Sequence, residues 1–221
     1  MSPELVWLIV RATGQTLHMV AVAAIIGSAI GIPLGVFLAT SGRGELFAAP
    51  LVNRVLGAVV NATRSTPFII LVVAIIPFTR LVAGTSIGTN AAIVPLTIAT
   101  IPFVARLVEA SIREVDPGLV ETTRAMGATP LQIVRKVLLA EARPGITLAL
   151  TLTVVSLIGY SAMVGAVGGG GLGDLGIRYG YQRFMPDVMA VVVVVLIVLV
   201  QVIQSAGDRL ARHFDKRSRS R

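Results

Sequence analysis

Long stretches without a charged side chain decide what this chain can fold into. Pro144 to Gly173 runs thirty residues without one, and Val188 to Gly207 runs twenty. Met19–Ala39, Ser65–Thr79 and Leu81–Ala105 are also free of charge. About 20 apolar residues carry a helix across a bilayer. Only 14% of the 221 residues are charged and 55% are hydrophobic, with a mean hydropathy of +0.86. A soluble domain would carry about 25% charged residues, and one core could not bury this much apolar surface. In lipid the backbone must satisfy its own polar groups, which a helix does within itself. The expectation is an all-α polytopic membrane protein, one domain over residues 1–221. Five transmembrane helices are read at about residues 17–39, 58–79, 90–110, 145–167 and 187–207. The second must reach back past Arg64, which either snorkels to the headgroups or is buried in protein.

Basic residues orient these spans. With the N-terminus outside, every Lys and Arg from Arg43 to Arg64, from Arg106 to Arg143 and after Gly207 faces the cytoplasm, fifteen in all. Only Arg11, Arg80, Arg178 and Arg183 lie outside. The positive-inside rule selects this arrangement, N-terminus out and C-terminus in. The net charge of +8 is mostly this asymmetry. The basic tail Arg209 to Arg221 reads as a headgroup-facing end, not a nucleic-acid site. MSPELVWLIV has an acid where a leader peptide needs basic residues, so it is not read as a cleaved signal.

Several chemistries are excluded. Without cysteine there is no disulfide, thiolate catalyst or cysteine metal site. The lysines, Lys136 and Lys216, follow Arg135 and Asp215, so no Gly-Lys phosphate loop exists and nucleotide is not bound that way. His18 and His213 fall at opposite faces. Gly171, Gly173 and Gly176 match a dinucleotide fingerprint formally, but they follow a membrane span, and Gly168 to Gly171 reads as a tight re-entrant bend at the outer surface. Acidic residues fall near span ends (Glu109, Asp208, Asp174, Asp187), leaving no mid-membrane ionisable site of the kind ion-coupled carriers use. No cofactor or metal is expected.

One long polar loop, about residues 111–143, interrupts the spans and carries helix punctuation. Asp116 caps a helix with Pro117 at its first position. Gly127 suits a left-handed stop after Met126. Thr129, Pro130 and Gln132 start a second helix with a capping box, on which Leu131, Val134 and Leu138 share a face and which Pro144 ends. The spans carry their own signals. Gly27, Gly31 and Gly35 are four apart in the first, a spacing that lets helices approach closely; Ser161, Gly165 and Gly169 repeat it in the fourth. Arg64-Ser65-Thr66-Pro67 opens the second. Tyr160 and Ser161 are polar groups able to face a path, and Met163 is a soft side chain suited to closing one.

Glu121 to Ala140, ETTRAMGATPLQIVRKVLLA, resembles the coupling loop of ATP-binding-cassette importer permeases, E-A-A, three residues, G, nine residues, I-x-L-P. The spacing matches in full; Thr122 and Thr123 replace the alanines, Val137 the isoleucine and Ala140 the proline. Arg64 to Pro67 resembles a signature of amino-acid-type members. The run GYSAM, GAVG and GGLG, with Gly207-Asp208-Arg209, is similar to methionine-importer permeases, and the resemblance covers Arg64 to Arg209. It implies a type I importer permease fold in a bacterial inner membrane. It further implies a homodimer of this chain, two separate ATPase subunits and a periplasmic or lipid-anchored substrate-binding protein. Glu121, Arg124, Ala125, Met126, Gly127 and Thr129 would contact the ATPase, and Tyr160, Ser161 and Met163 would border the translocation path. An ion-coupled amino-acid carrier and a scaffold without transport are the other classes considered.

Overall fold

The computed structural model describes residues 3–214. Lys216, Arg217, Arg219 and Arg221, counted above with the basic tail, lie outside the described residues. Every regular element among those described is helical: α1 (Pro3–Thr40), α2 (Pro50–Ser65), α3 (Phe68–Ala74), α4 (Ile76–Ala83), α5 (Thr89–Arg113), α6 (Pro117–Ala125), α7 (Pro130–Ile133), α8 (Leu139–Glu141), α9 (Arg143–Ala166), α10 (Gly171–Leu175) and α11 (Pro186–Phe214). Two π-helical turns, Val134–Leu138 and Gly176–Gln182, join α7 to α8 and continue α10. Four helices are long and apolar enough to cross a bilayer: α1, α5, α9 and α11.

The apolar stretch read as a span over 58–79 is built from a bent pair of helices and the short α4 after them. Helices α2 and α3 meet at a 103° bend. Thr66 and Pro67 leave helical geometry there, at ψ 125° and 131°. Pro67 causes the break, because the residue before a proline is pushed out of the α region. The stretch read as the first span lies within a longer helix, which begins at Pro3 because Arg11 and Gln15 lower hydropathy without stopping a helix. At 38 residues α1 is about 57 Å long, nearly twice the hydrocarbon thickness. Its first turns carry Trp7 with the Arg11 guanidinium 5.4 Å above the ring, a pairing suited to the headgroup level. The helix that holds the last span continues past 207 to Phe214.

The glycine stripe of α1 packs the bundle. A Cβ at Gly31 would lie 2.8 Å from Val104 Cβ, and one at Gly35 would lie 2.5 Å from the Ala105 carbonyl oxygen. Helices α1 and α5 therefore touch nearly backbone to backbone. Around this pair lie Met19, Val20, Ala23, Leu96, Leu157 and Ile158, all buried. Helix α11 joins α9 where Gly207 backs onto Thr151.

Candidate functional site

At one end of the bundle the polar loop folds into an elbow. The Asp116 carboxylate accepts from the Gly118 N–H and starts α6. The helix stops in a Schellman arrangement: the Gly127 N–H donates to the Arg124 carbonyl and the Ala128 N–H to that of Thr123. Gly127 has φ 82°, a conformation that costs other residues. The Thr129 hydroxyl accepts from the Gln132 N–H, while the Gln132 side chain accepts from the Thr129 N–H at 2.9 Å, completing the capping box.

The two halves of the elbow differ in attachment. Ile133, Val134 and Leu138 are buried against Val104, Val108, Ile112 and Val115, so the α7–α8 half is welded to the bundle. Leu131 does not share that face; it is 58% exposed. The π turn takes an extra residue per turn, which rotates Leu131 away from Leu138. Nor does Pro144 only end the elbow: it lies in the first turn of α9. By contrast α6 buries no residue. Glu121, Arg124, Ala125, Met126, Gly127 and Thr129 are all exposed. The structure gathers these six residues on a shaped polar surface that its own chain leaves uncovered.

Glu109 and its arginines sit at the foot of the elbow. Its buried carboxylate accepts from Arg106 at 2.5 Å and from Arg113 at 3.0 Å. Arg106 also donates to the Gly57 carbonyl of α2 at 3.0 Å. One carboxylate thus ties the end of α5, where the elbow departs, to the broken helix. Sequence reading placed Glu109 at a span end and missed this role; its spacing from Arg106 and Arg113 (i−3 and i+4) was the available signal.

The break in α2–α3 opens a cleft of about 140 Å³ lined by Thr63, Arg64, Thr66, Phe68, Phe103 and Tyr160. Phe68 and Tyr160 stack with centroids 4.4 Å apart. Two separate sequence signals, the Arg64–Pro67 run and the Tyr160–Met163 run, therefore meet at one place. The three residues of the second run part company. Tyr160 lines the cleft, and Met163 is 48% exposed on the outside of α9. Ser161 is buried and donates to the Ile158 carbonyl at 2.7 Å.

At the opposite end, the Gly168–Gly171 run makes the expected tight bend, and α10 folds back into the bundle. The Leu172 N–H donates to the Thr16 hydroxyl at 2.9 Å and the Gly171 N–H to Gln15 at 3.2 Å. Gly173 lies against the Ala162 backbone. The G-x-G-x-x-G spacing thus serves close approach to α1 and α9, with no strand before it. Asp174 is buried and paired with Arg178.

The chain matches the family described as "binding-protein-dependent transport system inner membrane component" over residues 31–220. It is 60% identical over 210 residues to the probable D-methionine transport system permease protein MetI of Vibrio cholerae, covering 95% of this chain and 93% of that one. It is 53% identical over 165 residues to the D-methionine transport system permease protein MetI of Escherichia coli K12, covering 75% and 76%. Its structure is similar to a chain of the MetNI methionine ABC transporter in an inward-facing conformation, with TM-score 0.95, 52% identity and coverage of 98% and 100%. It also shares its fold with a chain of an amino acid ABC transporter solved with histidines, at TM-score 0.80 and 19% identity.

Proposed function

This chain is a member of the binding-protein-dependent transport system inner membrane components, and from that membership we propose that it is the permease subunit of an ATP-driven methionine importer. The observation that carries the substrate is the likeness, at TM-score 0.95 and 52% identity over 98% of the chain, to a methionine transporter's membrane chain. Two copies form the channel in a bacterial inner membrane. Each receives a separate ATPase subunit, and a substrate-binding protein delivers the amino acid. The chain itself carries no phosphate loop, so hydrolysis belongs to the partner.

Glu121, Arg124, Ala125, Met126, Gly127 and Thr129 form the ATPase contact. Their support is the exposed, capped elbow whose second half is fused to the bundle. Closure of the ATPase pair moves α6; the buried Ile133, Val134 and Leu138 pass that motion to α5. Tyr160 and Met163 border the path, with Ser161 packed behind them. The excess of basic residues on the elbow side supports a cytoplasmic elbow and an outer N-terminus.

Uptake of labelled methionine by cells expressing this chain with its ATPase and binding protein is the test. Uptake should stop on ATP depletion and survive an uncoupler that collapses the proton gradient. The reverse pattern would identify an ion-coupled carrier, and unchanged uptake after deleting the chain a scaffold.

A further inference from the structure

We propose that the cleft at the α2–α3 break is a transient subsite for the amino acid in transit, where Arg64 receives the α-carboxylate and the Phe68–Tyr160 pair receives the thioether. The assignment rests on the importer reading above and adds to it a place inside the permease where substrate is held.

Arg64 is the first reason. It lines the cleft and has no hydrogen-bond, ion-pair or ring partner among the described residues. Arg54, Arg143, Arg209 and Arg212 are also exposed without such a partner among the described residues, but none of them lines this cleft, and several other arginines near the spans are committed. Arg106 and Arg113 share Glu109, Arg178 pairs with Asp174, and Arg183 lies 4.4 Å above the Tyr179 ring. Arg64 is exposed in the last turn of α2, so its guanidinium is open to an anion that enters the cleft. Its planar fork matches a carboxylate with two parallel hydrogen bonds.

The surroundings fit the rest of the molecule. The C-terminal turn of α2 ends at the break, so its last main-chain carbonyls bring partial negative charge to the edge of the cleft. Thr66 takes those of Ala62 and Thr63, and Arg64 and Ser65 follow at the bend. These carbonyls suit an α-ammonium, while the arginine suits the carboxylate. A zwitterion satisfies both; a simple anion or cation satisfies one. Phe68, Phe103 and Tyr160 form the apolar wall. Sulfur lies favourably against aromatic edges, which favours a thioether over a charged side chain. The volume of about 140 Å³ is far below the roughly 300–1,000 Å³ of a drug-sized pocket and suits one small amino acid. A broken helix beside an open cleft also holds substrate weakly, as passage requires.

The test uses the whole complex in proteoliposomes and a diazirine analogue of methionine, photolysed during ATP-driven uptake and mapped by peptide mass spectrometry. Adducts should fall on residues 63–71, 99–103 or Tyr160. The carboxamide of the analogue lacks the anion and should leave none there. Arg64→Gln should lower methionine uptake about tenfold and abolish the adducts, and Arg64→Lys should restore part of both. Equal labelling by acid and amide, adducts confined elsewhere, or wild-type uptake by Arg64→Gln would overturn the subsite. The acid–amide comparison on the unmutated protein stands even if a variant misfolds. A wild-type complex that imports no methionine would instead overturn the importer reading.

Discussion

Gly127 separates a folding effect from a coupling effect. A Cβ there would meet nothing within 4 Å, yet φ is 82°. A side chain would therefore strain the turn by about 1–2 kcal/mol without touching the bundle. Gly127→Asp should leave the protein inserted in the membrane at normal abundance while uptake falls to background. Immunoblotting of membranes beside a transport assay checks this; wild-type uptake in that variant would remove the elbow from the mechanism. Ser161→Ala should do little, because its hydroxyl only doubles onto the Ile158 carbonyl of its own helix. The loss should be within about 1 kcal/mol, read as a small shift in thermal midpoint with uptake retained. That Tyr160 meets the cleft and Ser161 does not was illegible in the sequence. Helix α9 is apolar on nearly every side, so its pattern carries no phase to tell inward from outward.

Helices and their ends were legible where local chemistry decides them. Asp116, Gly127 and the Thr129–Gln132 box act within one turn of chain, so their residues announce them. The start of α1, the 103° bend and the two π turns were not legible. Hydropathy reports contact with lipid and not helicity, and bend angle and turn width answer to tertiary packing. The α1–α5 seam and the Glu109 knot are features of paired elements, and each predicts at that scale. Gly31→Leu would drive a side chain into Val104 and should destabilise by at least about 1–3 kcal/mol, measured as lost folded protein in detergent. Glu109→Gln removes the charge, and one of the two acceptor oxygens, that hold Arg106 and Arg113. It should cost about 3 kcal/mol and release α2, measurable as a lower thermal midpoint and slower uptake at unchanged substrate affinity of the binding protein.

For the molecule as a whole, the asymmetry of basic residues is the main sign of how it sits in the bilayer, and the lack of native cysteine makes that sign easy to check. A single Glu114→Cys variant near the elbow should react with a membrane-impermeant maleimide only after cells are permeabilised. Tyr181→Cys at the opposite end should react in intact cells. The inverse pattern would turn the molecule over and place the elbow beyond reach of any ATPase.

Helix α6 fully buries no side chain; Val120 leans half-buried on the cluster around Val115 and Ile133, and caps hold its two ends. Nine residues with so little holding them fall short of an independently stable helix. Its order is completed by whatever docks on it. In the solitary permease a protease such as trypsin should therefore nick the chain at Arg124 early, and full assembly should shield that bond, so that the digestion pattern reports whether the motor is seated.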